Sequence, residues 1–169
     1  MIHLYKYGRI KTLARPLSDL LLAAMPRDES FEAVTPVPLH WRRQWDRGFN
    51  QSDLLAREIA RRCGIPAVHA LKRVRSTLTQ AGLSNTGRRR NVAKAFQCRR
   101  GARWARCVAG KRILLIDDVM TTGSTAGSCA LALKRAGAAR VALLTVARVD
   151  RRMDDSRAAT AHSTAGGTS

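Results

Sequence analysis

The chain has 169 residues, 45% of them hydrophobic, and a formal net charge of +19. This length suits one domain with a buried core and leaves little room for a second domain. No run reaches the roughly 18 apolar residues of a membrane span, and the first residues lack the basic-then-apolar layout of a secretory signal, so we expect a cytoplasmic protein.

The first part of the chain predicts two helices and a strand. Leucines repeat at helical spacing over Leu13–Ala24, with Pro16 in the first turn. Phe31–Val37 is short and partly β-branched, which favours a strand. Asn50 is a candidate N-cap for a second helix, which should end at Gly64.

The middle of the chain is harder to interpret. Ala67–Val74 is predicted as a further strand. Residues 75–91 are polar and rich in Gly and Arg, which predicts a long loop, and long loops inside compact domains are often functional lids. We predict a short helix near Val92–Phe96, whereas the pattern of Arg99–Ala109 assigns no structure.

The pattern is clearest in the last third of the chain. Ile113–Ile116 is a continuous apolar run, typical of a strand buried on both faces. A helix with an apolar face follows over Ser124–Ala136, and Val141–Val146 is a second apolar strand. Such a strand–helix–strand unit has parallel strands. The tail, residues 151–169, is polar and rich in small residues, and we predict that it is disordered.

The first of these strands leads into the sequence ILLIDDVMTTGST, residues 113–125. The strand would deliver the carboxylates of Asp117 and Asp118 to the carboxyl edge of the sheet, where α/β proteins bind ligands. The loop amides and the start of the next helix favour an anion such as a phosphate. Hydroxyl groups and a glycine that permits close approach are supplied by Thr121, Thr122, Gly123, Ser124 and Thr125. A ribose on the carboxylates and a phosphate on the loop form a coherent pose.

Other interpretations of this motif were weighed. The plain alternative is that the two carboxylates end a strand and the hydroxyl groups cap a helix. A Walker A loop is not supported because no lysine stands in the required place, and a dinucleotide-binding fingerprint is absent.

The four cysteines have neither C-x-x-C nor zinc-finger spacing, so we predict no metal site and no disulfide framework in the protein itself.

Positive charge is concentrated in the middle of the chain. Between Glu58 and Asp117 there is no acidic residue, whereas 15 Lys and Arg residues fall there. The resulting positive potential would attract a polyanion, such as pyrophosphate, a phosphorylated sugar or nucleic acid. Two alternatives stay open: the arginine content reflects the base composition of the genome, or the segment is a solvated basic face without a specific partner.

Residues 113–125 resemble the motif with which type I phosphoribosyltransferases bind 5-phosphoribosyl-1-pyrophosphate (PRPP). That motif is a hydrophobic run, two acids, a short spacer and Thr-Gly-x-Thr. In the family, the acids hold the ribose hydroxyls and the loop holds the 5′-phosphate. The resemblance implies that Asp117 and Asp118 bind ribose and that Thr121–Thr125 bind phosphate.

The wider chain resembles the ComF family of competence-associated proteins. The resemblance covers roughly residues 2–149 and is carried by blocks at Leu4–Arg9, Val34–Leu39, Arg47–Gln51 and Arg73–Phe96. Many members begin with a four-cysteine zinc module, which this sequence does not contain, so this is a shorter member or one with a truncated start.

This resemblance implies a fold over residues 1–150. The expected fold is α/β, with a mainly parallel sheet flanked by helices and a small N-terminal hood. The place of the pyrophosphate loop falls at Pro38 and Leu39 with Arg42, Arg43 and Arg47, whose guanidinium forks suit pyrophosphate. A flexible catalytic loop falls at Thr77–Arg90, with the candidates Gln80, Arg88 and Arg89. The alternative for the arginines is a basic surface turn.

Two functions are consistent with these features. The first is a phosphoribosyltransferase of nucleoside metabolism that uses PRPP with Mg²⁺, held largely by the ligand's own oxygens, and transfers the phosphoribosyl group to a nitrogenous acceptor. The second is a non-catalytic DNA-uptake protein that binds single-stranded DNA or a helicase-like competence partner, with PRPP as a regulator.

The aromatic residues Trp41, Trp45 and Phe49 alternate with arginines, as on base-stacking surfaces, although packing onto the domain is the alternative. A homodimer is also open, since dimers are common in this fold.

Overall fold

The computed structural model describes residues 13–26, 28–39, 49–74 and 95–148. They form α1 (Ala14–Ala23), β1 (Ala33–Pro36), α2 (Gln51–Cys63), β2 (Leu71–Arg73), β3 (Phe96–Cys98), α3 (Ala102–Val108), β4 (Arg112–Met120), α4 (Ser124–Arg135) and β5 (Arg140–Arg148). Most predicted elements are present with bounds shifted by a few residues. Strand β4 continues four residues past Ile116, so that both acids of the motif lie within the strand.

A parallel sheet with the strand order β1-β4-β5 organises the fold. The central strand β4 pairs with β1 on one side and with β5 on the other. An isolated parallel bridge between Val34 and Ala67 adds to the far side of β1. Because β4 and β5 are parallel and α4 connects them, the predicted strand–helix–strand unit is confirmed.

Both faces of β4 are buried. Ile113 and Leu115 belong to a core formed with α4, α3 and the β2–β3 pair. Leu114 and Ile116 belong to the opposite core, which contains the apolar sides of α1 and α2. All four side chains have an exposed fraction of 0%. The continuous apolar run in the sequence is therefore explained by helices on both sides of a parallel sheet.

The antiparallel pair β2–β3 corrects two predictions. The segment predicted as one strand, Ala67–Val74, pairs continuously only over β2. Phe96 was predicted to end a short helix, but it begins β3 directly opposite Arg73 and is buried in the core. Strand pairing and burial of the aromatic ring outweigh the local helical pattern here. Ala95 is buried at a bend before β3, whereas residues 92–94 of that predicted helix, and the loop before it, lie outside the described residues.

Residues 102–108, to which the sequence assigned no structure, form the short helix α3. It starts after Gly101, whose carbonyl accepts a hydrogen bond from the amide of Trp104. Only Val108 of this helix is fully buried, while Trp104 and Cys107 pack partly against the core. The remaining surface of α3 is exposed and carries arginines.

Helix α1 lies in the same layer as α2. Leu17 and Leu21 of α1 are 2% exposed and pack in one core with Leu55 and Ile59 of α2. The small hood was predicted for this N-terminal region; its other part, residues 1–12, lies outside the described residues, as does the tail predicted to be disordered. None of the helices within the described ranges has the length and apolar content to cross a membrane.

The N-terminus of α2 is tied to the end of β1 by Asn50. Its side-chain oxygen accepts a hydrogen bond from the Ser52 amide at 3.1 Å, which confirms the predicted N-cap. Its side-chain nitrogen donates to the Val37 carbonyl at 3.1 Å. The Val37 amide in turn donates to the Ile116 carbonyl of β4 at 2.9 Å. One residue therefore fixes the helix start and the chain that leaves β1.

Replacement of Asn50 separates these two roles. We expect Asn50→Ala to lower the free energy of unfolding by about 1–2 kcal/mol, because the cap and the bond to Val37 are both lost. Asn50→Asp should lower it less, since a carboxylate still caps the helix but cannot donate to a carbonyl. Urea unfolding followed by circular dichroism measures both. An equal loss in the two variants would show that the cap contributes nothing.

Candidate functional site

The carboxyl end of β4 opens into a cleft of about 230 Å³. Its lining includes the residues predicted to bind ribose and phosphate and two predicted for the pyrophosphate loop, namely Asp117, Asp118, Thr121, Thr122, Gly123, Ser124, Thr125, Pro38 and Leu39. The parallel pairing of β1 with β4 explains this, because the chain after β1 emerges at the same sheet edge as the motif. The other candidates, Arg42, Arg43, Arg47, Gln80, Arg88 and Arg89, lie outside the described residues.

Asp117 is the buried member of the carboxylate pair. The exposed fraction of Asp117 is 7%. Its Oδ1 accepts hydrogen bonds from the Asp118 amide at 3.0 Å and from Ser52 Oγ at 3.4 Å. Asp118 is half-buried, and its carbonyl accepts from the hydroxyl of Thr145 on β5 at 3.4 Å. The Asp117 carboxylate is therefore held by β4 and α2, and the backbone of Asp118 is held by the neighbouring strand β5.

Burial also changes the acidity of this pair. Loss of water around Asp117 raises its pKa to about 7, and the negative charge of Asp118 adds to the effect. The hydrogen bonds from the Asp118 amide and from Ser52 act in the opposite direction. Near neutral pH, Asp117 is thus poised between its neutral and ionised forms. A ligand with two hydroxyl donors would favour the ionised form, because such donors replace the lost water.

The turn after β4 and the start of α4 form an anion-binding geometry. Gly123 has a positive φ of 72° and stands at the N-cap of α4, where it has no side chain to occupy the first-turn amides. The hydroxyl oxygens of Thr122 and Ser124 lie 2.9 Å apart at the mouth of the cleft. The Ser124 amide donates to Thr122 Oγ1 at 3.4 Å, and Gly123 supplies no side-chain cap to the amides that follow. Amides at a helix start, together with the helix dipole, attract phosphate.

Two polar lining residues were missed by the sequence analysis as site residues. Ser52 reaches Asp117 across 65 positions of the chain, and no local pattern marks such a contact. Arg73 lies at the end of β2, with its guanidinium carbon 5.3 Å from the ring centre of Phe96. A signal for Arg73 was present, because it is the last strand residue before the long loop.

The carboxylates suit a magnesium ion that arrives with a phosphorylated ligand. Among the described residues, no three His, Cys, Asp or Glu side chains form a group that could hold a metal ion by themselves. Mg²⁺ binds in proteins through one or two carboxylates together with the phosphates of a substrate, and Asp117 and Asp118 are the residues of the cleft that could hold it in this way.

The sequence matches known proteins over most of its length. Residues 51–163 match the family model described as phosphoribosyl transferase domain. The chain is 41% identical to Competence protein F of Haemophilus influenzae and 38% identical to DNA utilization protein YhgH of Escherichia coli, in each case over 156 residues that make up 88% of this chain. It spans 66% of the length of each of these relatives.

The fold is similar to those of larger enzymes. A structure described as the allosteric regulatory enzyme of purine biosynthesis matches 81% of this chain and 26% of its own, with a TM-score of 0.55 and 22% identity. Glutamine PRPP amidotransferase from B. subtilis, complexed with ADP and GMP, matches 79% and 26%, with a TM-score of 0.52 and 25% identity. The α/β architecture predicted from the sequence is therefore that of the phosphoribosyltransferase fold.

The raised pKa of Asp117 predicts how stability changes with pH. Between the ordinary carboxyl value of 3.8 and the folded value of about 7, the folded protein keeps a proton that the unfolded chain has released. The free energy of unfolding attributable to this group therefore falls as the pH rises through that window, and the loss is complete above it. Asp117→Asn keeps an acceptor oxygen but removes the charge.

We therefore expect Asp117→Asn to be more stable than the wild type at pH 8, by up to about 4 kcal/mol, and close to it at pH 4. Urea unfolding at pH 4, 6 and 8 measures the difference. Asp28→Asn, which removes an exposed carboxylate, serves as the control for net charge. A wild type and Asp117→Asn that differ by the same amount at every pH would contradict the assignment.

Proposed function

Because the chain belongs to the phosphoribosyl transferase domain family, we propose that it binds PRPP with Mg²⁺ in the cleft at the end of β4. We further propose that it transfers the phosphoribosyl group to a nitrogenous acceptor and releases pyrophosphate. The supporting observation is that one cleft is lined by a carboxylate pair with one buried member, by a glycine turn at a helix start and by an arginine.

The two ends of the phosphoribosyl group have matching partners. Asp117 and Asp118 would accept hydrogen bonds from the 2′ and 3′ hydroxyls of the ribose. The 5′-phosphate would lie at the start of α4, where Gly123 has no side chain to cap the helix and the hydroxyls of Thr122 and Ser124 stand close. Charge-assisted hydrogen bonds of this kind fix the sugar in one orientation.

The departing pyrophosphate would lie between the chain after β1 and the end of β2. Pro38 and Leu39 line the cleft on the side of the chain after β1, and Arg73, at the end of β2, supplies positive charge. Arg42, Arg43 and Arg47 remain predicted pyrophosphate ligands. Mg²⁺, bound to oxygens of PRPP with Asp117 or Asp118 nearby, would add positive charge to the leaving group.

The reaction needs little covalent participation by the protein. The bond from ribose C1 to the pyrophosphate oxygen breaks, its electron pair leaves with pyrophosphate, and the acceptor nitrogen forms a new bond to C1. Positive charge develops on the ribose while negative charge grows on pyrophosphate. The chain's part is to orient both groups and to stabilise the leaving group electrostatically.

Calorimetric titration of PRPP in the presence of Mg²⁺ tests the first step. We expect binding to the wild type and at least about 100-fold weaker binding to the Asp117→Asn, Asp118→Asn double variant, because two charge-assisted hydrogen bonds are lost. Asp28→Asn should bind like the wild type. Failure of a folded wild type to bind PRPP would overturn the proposal. With binding established, pyrophosphate release upon adding candidate bases tests transfer.

A specific surface favours a second candidate function, the binding of single-stranded nucleic acid. Arg99 and Arg103 both stack on Trp104, with guanidinium carbons 5.6 and 5.2 Å from the ring centre. Exposed Arg100 and Arg106 lie beside them along the chain. We call these five residues the arginine–tryptophan surface. Basic side chains around an aromatic ring suit phosphates and stacked bases, and one relative bears the name DNA utilization protein.

Anisotropy of a labelled thymidine oligonucleotide at several salt concentrations tests this candidate. We expect Arg103→Gln, Arg106→Gln to weaken binding and to reduce the slope of log affinity against log salt by about 1.4, since each phosphate contact contributes about 0.7 for single strands. The matched control is Arg15→Gln, Arg135→Gln, which removes the same charge from α1 and α4. Equal weakening in the control would show that only net charge matters.

A further inference from the structure

A second cleft lies on the other side of the chain that leaves β1. It has a volume of about 300 Å³ and shares Pro38, Leu39 and Arg73 with the first cleft. Its remaining lining comes from the start of α2, from β2 with the residues before it, and from the residue after β3, namely Asn50, Asp53, His69, Leu71, Lys72 and Arg99 together with Pro36. It contains neither carboxylate of the motif.

The charges around this second cleft favour an anion. Lys72, Arg73 and Arg99 supply three cations, and Asp53 is the one carboxylate among the lining residues of the described chain. That carboxylate is already engaged, because its Oδ2 accepts a hydrogen bond from Arg57 Nε at 3.0 Å and its Oδ1 lies 2.5 Å from His69 Nε2. Positive charge therefore exceeds negative charge in the part of the cleft formed by β2 and the residue after β3.

Both arginines of this cleft are stacked on aromatic rings. Arg73 lies over Phe96 and Arg99 lies over Trp104, at 5.3 and 5.6 Å from the ring centres. An aromatic ring attracts a cation held over its face, and a guanidinium is suited to paired hydrogen bonds with phosphate oxygens. The Arg99 amide also donates to the Ala70 carbonyl at 2.7 Å, which fixes the backbone beside β2.

We propose that the second cleft is a binding subsite for a phosphate monoester of small-molecule size, and that it shares Arg73 with the PRPP cleft. A volume of about 300 Å³ suits one phosphate group with a ring-sized substituent better than a nucleic-acid strand. One guanidinium cannot serve two phosphates fully, so occupation of either cleft weakens binding in the other. The subsite itself does not depend on the proposed PRPP reaction; only this coupling rests on it.

Calorimetric titration of the full chain with phenyl phosphate tests the subsite, because this probe lacks the diol that Asp117 and Asp118 would hold. We expect Lys72→Gln, Arg99→Gln to bind the probe at least about tenfold more weakly, since two charged contacts are lost. The same variant should bind PRPP within about twofold of the wild type. Arg15→Gln, Arg135→Gln, with the same net charge, should bind the probe like the wild type.

Two further results bear on the proposal. The Asp117→Asn, Asp118→Asn variant should retain phenyl phosphate binding, and saturating probe should weaken PRPP binding to the wild type several-fold, with the reciprocal effect of PRPP on the probe. A probe affinity unchanged in Lys72→Gln, Arg99→Gln would overturn the subsite. The subsite would also be overturned if a thymidine oligonucleotide without a terminal phosphate bound there and phenyl phosphate did not. The cleft would then be reassigned to nucleic acid. A wild type that binds the probe but not PRPP would leave the subsite standing without the proposed reaction.

Discussion

The burial of β4 on both faces is the constraint on which the rest of the structure depends. Four consecutive apolar residues, Ile113–Ile116, alternate between two cores, so this strand must take the central position of the sheet. The next residue, Asp117, is then carried into a poorly hydrated place beside Asp118. Such a carboxylate opposes folding once it is ionised. A protein retains a residue of this kind where binding a ligand offsets the unfavourable charge.

The sheet order turns residues from distant parts of the chain into one site. Parallel strands end at the same edge, so the chain after β1 meets the turn after β4, and the end of β2 adds Arg73. Asn50 strengthens this meeting, because it bonds to the residue after β1 while it caps α2. The start of α2 then supplies Ser52 to Asp117. The site is therefore held by contacts of the backbone and of the start of α2, one of which reaches Asp117 directly.

Aromatic rings give part of the positive charge a defined geometry. Phe96 is buried in the core and Trp104 packs partly against it, and each carries an arginine on its face. In this way, arginines of the basic middle segment are held in defined positions next to two clefts. This arrangement connects the cleft proposed for phosphoribosyl transfer with the surfaces that would contact a second phosphate or a nucleic acid.

The sequence by itself determined the features that are encoded locally. The apolar run of β4, the glycine turn and the cap at Asn50 all lie within a few neighbouring residues, and they were sufficient to predict the α/β unit and most of the first cleft. Only the tertiary structure decided that Phe96 lies in a strand, that Ser52 bonds to Asp117 and that Arg73 faces two clefts. These outcomes depend on contacts between residues far apart in the chain, which hydrophobic periodicity and motif spacing do not encode.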